Sequence, residues 1–272
     1  MMYKKPMCCS LRPAKLTNTV LYAADALHDG RRVHVMGYQN RAENLSKGPN
    51  AMLLPIPSSA PMGPDNMLDT TMAENILKDY ARAVRPPVSR GAFGGAAPHT
   101  LAAVQVFDKG SFSVVLADRA SDIPSAIGRI PANKRPELNA DIFAAYDWLY
   151  PGWKMALCAW DGTLEAEPLL WWYEPLDPTR LFLPALDAHD GKPPSLSADV
   201  AVDHSVVVGS VTSPGGAQVL FRDTIPAHLK PFLATKVHGR EFNGTSMKNG
   251  DFTCSIGSLG AANIHRELPP GA

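Results

Sequence analysis

Two adjacent thiols, Cys8 and Cys9, stand just ahead of the first β-prone run of the chain. Removal of the first seven residues would leave Cys8 at the N-terminus. A free α-amine has a pKa of about 8 and can take the proton of its own thiol, the logic of an N-terminal-nucleophile amide hydrolase. His34, on the second strand of the hairpin that follows, is an alternative base for Cys8 or Cys9. The simpler reading is inert packing. Free cysteine is among the most buried residue types, and reactivity needs an accessible, electropositive setting. Adjacent cysteines beside a basic terminus also admit acylation.

The second chemical feature is aromatic. All five tryptophans fall between Trp148 and Trp172, with Tyr173 next in line. Such a cluster can stack a sugar, a base or another flat ligand. Trp171, Trp172 and Tyr173 are the candidate ligand-binding residues. Neighbours on a strand point to opposite faces, so one tryptophan belongs to the core and the other is covered by a loop or exposed.

Other chemistries lack their residues. Gly91-Ala92-Phe93-Gly94-Gly95 has no following Lys-Ser/Thr to grip phosphate and magnesium, and no dinucleotide fingerprint occurs. No Gly-x-Ser-x-Gly elbow is present, and nothing marks Ser210 or Ser213 as activated. Asp187, His189, Asp190 and the pair Asp203-His204 are residue types that bind zinc or iron. However, His189-Asp190-Gly191 repeats the His-Asp-Gly of the first hairpin, and turn chemistry accounts for it. The expectation is therefore no metal and no cofactor.

Composition sets the class. The 272 residues carry 26 Lys+Arg and 26 Asp+Glu, so no net basic charge favours nucleic acid. Hydrophobic residues at 45% supply a packed core, which argues against wholesale disorder. No apolar run reaches the roughly 18 residues of a membrane span. Lys4 and Lys5 resemble a signal-peptide start, but Arg12, Pro13, Lys15, Thr17 and Asn18 interrupt any apolar region after them. The expected location is cytoplasmic, with free thiols, no nucleic acid partner and no membrane. The 25 prolines exclude long helical bundles, because proline lacks a backbone donor and clashes inside helices.

The elements read as hairpins. Val20–Leu27 and Val33–Tyr38 flank Asp29-Gly30, a strong turn signal. Ala51–Pro57 is a third strand, with its prolines at an edge or exit. Thr71 and Glu74 fit a capping box for a helix over Thr71–Val84, with Met72, Ile76, Leu77, Tyr80 and Val84 on one face. Leu101–Phe107 and Phe112–Leu116 form a second hairpin, and Ser121–Gly128 a short helical turn. Glu137–Tyr150 is a second helix. Strands follow at Trp153–Trp160, Leu169–Tyr173, Leu181–Leu183, Val200–Val211 and Phe252–Ile256. Ala217–Phe221 is expected to pair with Val200–Val211, Pro226–Ala234 to be a short helix, and Leu268–Ala272 to be unstructured. This pattern predicts one α+β domain, a mostly antiparallel sheet built from hairpins with two packed helices. Residues 88–99 are a possible boundary between sub-lobes.

Two stretches carry a family resemblance. One runs from Cys9 to Asn50-Ala51-Met52-Leu53-Leu54-Pro55-Ile56-Pro57. The other runs from Pro168-Leu169-Leu170-Trp171-Trp172-Tyr173 to Leu181-Phe182-Leu183-Pro184. Together they resemble a bacterial domain family of unknown function, whose members start with a cysteine, run through a hairpin and reach an apolar strand ending in Pro-aliphatic-Pro. The family implies no activity for this chain. It does imply that the cysteine start is a shared feature.

The leading functional expectation is a non-catalytic binding or interaction protein, with an unknown protein partner or a homo-oligomer formed through an exposed strand edge. Its contact surfaces are the proline-rich loops Pro55–Pro64 and Pro184–Pro194. The alternative is the cysteine-dependent hydrolase, and a third reading is a sugar or small-molecule binder that uses the tryptophans.

Overall fold

The computed structural model describes residues 9–85 and 105–272. Cys8, the glycine-rich run at 91–95, the possible boundary at 88–99 and residues 101–104 of the second predicted hairpin lie outside the described residues.

The first hairpin is the spine. Strands β1 (Ala14–His28) and β2 (Arg31–Asn44) are longer than the predicted runs and turn through Asp29 (φ 49°) and Gly30 (φ 75°). A two-residue loop with both φ positive matches the twist of the strands it joins. A bulge between Thr17 and Val20, with Asn18 at φ 55°, shifts the register once. In the second half of β1, Leu21 and Ala23 enter one core while Val20, Tyr22, Ala24 and Ala26 enter another. On β2, Met36 and Tyr38 join the first core, and Val33 and Val35 the second. Both faces are therefore buried, so the strands read as apolar runs rather than as a clean alternation.

Further strands complete the architecture. These are β3 (Asn50–Ile56), β4 (Gln105–Lys109), β5 (Phe112–Ala117), β6 (Lys154–Trp160), β7 (Thr163–Glu165) and β8 (Leu169–Tyr173). After them come β9 (Arg180–Leu183), β10 (Asp199–Val202), β11 (Ser205–Ser210), β12 (Ala217–Gln218) and β13 (Lys236–Glu241). The last are β14 (Thr245–Lys248), β15 (Asp251–Ser255) and β16 (His265–Glu267). The central seven-stranded sheet runs β12-β13-β11-β1-β2-β7, with β8 also on β2. Its β1–β11 pairing is parallel, and the other strand pairings are antiparallel. A four-stranded sheet (β3-β6-β5-β4) shares the first core, as do β9 and β15 of a three-stranded sheet. Pro55 sits on β3, an edge strand, where a missing N–H is tolerated.

Of the helices α1 (Ile76–Ala83), α2 (Ile123–Ala126) and α3 (Ala140–Leu149), α1 packs on the second core and α3 on the first. The α+β class with several antiparallel sheets is thus observed. Helix α1 sits directly on Gly37 of β2: a Cβ there would meet Leu170 and Leu77 methyls at 2.9 Å and the Tyr22 Cβ at 3.0 Å. Tyr22 and Tyr80 stack at 4.2 Å beside it. The Tyr80 hydroxyl donates to the Ala234 carbonyl, and the Tyr22 hydroxyl accepts from the Ala234 N–H.

Several expectations are corrected. Thr71 does not cap α1. Asp69 takes the Thr71 N–H, Met72 turns left-handed (φ 62°) with its side chain exposed, and Asp223 receives the Asn75 N–H at the helix start. The 200–211 run is two strands in different sheets, broken at Asp203-His204, because β10 pairs with β14 while β11 pairs with β1 and β13. β12 pairs with β13, not β11. Residues 226–234 hold a 3-10 turn at Lys230–Phe232 instead of an α-helix, since the Ala234 backbone bonds to the two tyrosine hydroxyls. The last residues are docked: Pro269 is buried, and the Gly271 N–H donates to the Leu149 carbonyl at the open end of α3.

Gly37→Val should destabilise the protein by about 1–3 kcal/mol through overpacking. Urea unfolding checks this, and an unchanged midpoint would mean that α1 does not rest on this glycine.

Candidate functional site

Cys9 is buried between the N-terminal segment and α3. Its carbonyl accepts from Leu53, and its thiol faces Tyr146. Burial pushes the thiol up to about 12, Asp187 and Asp190 add to that, and only the Tyr146 hydroxyl opposes it. A thiol held this high stays protonated at neutral pH, the reverse of an activated nucleophile. Next to it the Asp251 carboxylate accepts from the Tyr150 hydroxyl at 2.6 Å and from the Ala185 and Leu186 N–H groups at 2.7 and 3.0 Å. Burial still raises Asp251 to about 6. The cavity at Cys9 measures about 10 Å³, room for a single water at most. This cluster ties the N-terminal segment, α3 and β15 together.

His34 is not part of that cluster. It lies on a cross-strand row, Ser210 on β11, Asp25 on β1, His34 on β2 and Tyr173 on β8, on the face of the first core. The Ser210 and Thr212 hydroxyls donate to Asp25 Oδ2 at 3.2 and 2.9 Å. Here the carboxylate lies between serine and imidazole, so no imidazole receives the Ser210 proton, and the row lacks the order of a catalytic triad. Neither nitrogen of His34 completes a hydrogen bond of normal geometry, although the Pro178 carbonyl lies nearby. Burial lowers His34 to about 4, against the opposing pull of Asp25. The groups that bear on His34 (Asp25, Arg32, Asp177) and on Cys9 (Tyr146, Asp187, Asp190) do not overlap. The structure therefore does not bring the two together.

The aromatic candidates separate by face. Trp171 and Tyr173 are fully buried in the first core, and burial raises the Tyr173 phenol. Trp172 points to the other face and stays half-buried. It forms one wall of a groove of about 650 Å³, within the range of small-molecule sites. The His28 ring lies 4.5 Å from the Trp172 ring and 5.1 Å from Phe232, and Trp172 and Phe232 are stacked at 6.4 Å. The Trp172 Nε1–H donates to the Asp65 carbonyl at 2.9 Å, which fixes the indole against the 64–66 turn. Phe107 and Lys109 of β4 also line it. So does His228, its Nε2 2.8 Å from the Asp69 carbonyl.

Sequence reasoning found Trp172 but missed His28, Phe232 and Phe107. Of the expected recognition loops, Pro64 does line this groove, whereas Pro184 is buried. His189-Asp190-Gly191 is a turn, with Gly191 at φ 80° and His189 bonded to Asp187. Among the described residues, no group of three or more His, Cys, Asp or Glu side chains is placed to hold a metal ion. Among the described residues, no helix is long and apolar enough to cross a membrane. Comparison with protein-family models, with curated proteins and with solved structures finds no match.

Native alkylation at pH 8 followed by peptide mapping should leave Cys9 unmodified until the protein is unfolded. Rapid labelling of Cys9 in the folded state would overturn its placement. The histidine gives a pH signature. Its folded pKa lies below the unfolded value of about 6.5, so its stabilisation is complete above that pH and is lost as pH falls toward 4. Between pH 7 and 4.5, wild type should lose roughly 2–3 kcal/mol relative to His34→Gln. Parallel stability curves for the two proteins would contradict a buried neutral His34.

Proposed function

We propose that this protein is a binding protein that takes a small organic molecule into the Trp172 groove. The observation that carries the reading is a contrast between two regions. Cys9 and His34 are sealed in the first core in unreactive forms, while the groove presents aromatic faces at a volume that fits a ligand. Indole and phenyl faces left beside an open cavity offer stacking surface that a partner molecule can cover. Proline supports the wall: Pro64 opens the 3-10 turn whose Asp65 carbonyl holds the indole. Loops carried on a rigid sheet are common recognition surfaces.

The test is a probe panel of indole, choline, benzoate and methyl glucoside at millimolar concentration, read by tryptophan fluorescence and by thermal shift. At least one probe should quench fluorescence and raise Tm, because a ligand that binds only the folded state stabilises it. Trp172→Leu should lose the response while keeping its own unliganded unfolding transition. A wild-type protein indifferent to every probe would sink the reading.

A further inference from the structure

We infer that the Trp172 groove selects an organic cation, a quaternary ammonium or an alkylated amine with an apolar body. This inference rests on the binding reading above and adds the charge of the ligand. Among the described residues, four aspartates line the groove, Asp29, Asp65, Asp69 and Asp108, with one lysine, Lys109. Lys109 and Asp69 form a pair 3.2 Å apart, with the lysine side chain only 11% exposed, so neither charge is left over. Asp108 is met from outside the groove by Lys134 at 3.4 Å. Asp29 stands 3.8 Å from His28 at the hairpin tip. The Asp65 carboxylate has no ion-pair partner among the described residues, and its own backbone carbonyl holds the Trp172 indole. Beside the aromatic wall, then, Asp65 is the one lining carboxylate with no cationic or imidazole partner among the described residues.

That combination is the chemistry of cation recognition. The face of an indole carries the negative lobe of its quadrupole and attracts a cation placed over it, most strongly when water is displaced. The unpaired Asp65 carboxylate adds a longer-range attraction for the same sign of charge. An anion would meet the unpaired Asp65 carboxylate, while the lysine that lines the groove is already paired with Asp69. A soft, weakly hydrated cation satisfies both parts of the groove at once.

Choline and 3,3-dimethylbutan-1-ol share one shape and differ in charge, so they separate the two claims. Isothermal titration of both into the whole protein should show choline binding about tenfold tighter, a ratio equal to about 1.4 kcal/mol. The choline affinity should fall as salt rises, since exposed charges are screened. Asp65→Asn should weaken choline severalfold and leave the alcohol unchanged; this side chain is exposed, so folding is not at stake. Trp172→Leu should abolish both. Equal binding of the two isosteres, or binding of the alcohol, indole or benzoate without choline, would overturn the charge inference and leave the groove reading standing. No binding by any of these probes or by methyl glucoside would remove both.

Discussion

Strands β1 and β2 lose water from both faces, and much of the structure follows from that constraint. A hairpin alone cannot shield two apolar surfaces. The first face is therefore met by the four-stranded sheet, by β9 and β15 and by α3, and the second by α1 and the 229–237 segment. Helix α1 approaches closely enough to use the missing side chain of Gly37. Backbone groups stranded by that packing find partners in side chains, as Ala234 does in the Tyr22 and Tyr80 hydroxyls. The parallel partner β11 completes the hydrogen bonding of β1 on its far side, leaving the hairpin without an open edge along that stretch.

The same constraint decides what the polar residues of the hairpin can do. Asp25 and His34 sit opposite each other on a buried face, so their chemistry is directed inward. Asp25 is held by two hydroxyls and by Arg32 at 3.5 Å. His34 remains neutral because protonation would place charge where water cannot reach it. Cys9 follows the same logic on the far side of that core. Its thiol is surrounded by aromatic and aliphatic groups and by carboxylates that oppose a second negative charge. Cys9 and His34, two of the residues that suggest catalysis in the sequence, are taken up by packing.

What was legible in the sequence was local. Asp29-Gly30 declares the hairpin, and three strands of the four-stranded sheet, β3, β5 and β6, carry the β-prone runs that predict them. The opposite orientation of Trp171 and Trp172 follows from strand geometry alone. The start of α1 was not legible, because the group that receives the Asn75 N–H is Asp223, far along the chain. Nor was the break at Asp203-His204, since nothing in an unbroken β-prone run says that its halves join different sheets. The groove lay furthest from view. Its walls come from the hairpin tip, the 64–69 loop, β4, β8 and the 228–232 segment, and only Trp172 and the end of the Pro55–Pro64 loop announced themselves.

The position of the groove follows from where the covering of the second face runs out. α1 and Leu233-Ala234 cover the sheet along Tyr22, Val35 and Leu170. Past them, at the turn end of the hairpin, the covering layer is replaced by the rings of His28, Trp172 and Phe232, which touch one another but leave space beyond. An aliphatic side chain ending there would need a neighbour to bury it. An indole can stand half-exposed because its N–H is already satisfied. Asp65, the residue of the 64–66 turn that satisfies the indole, also lines the groove and carries an exposed carboxylate. Holding the aromatic wall and charging its edge are therefore two effects of one local structure, and a substitution that unfolds the 64–66 turn should disturb both together.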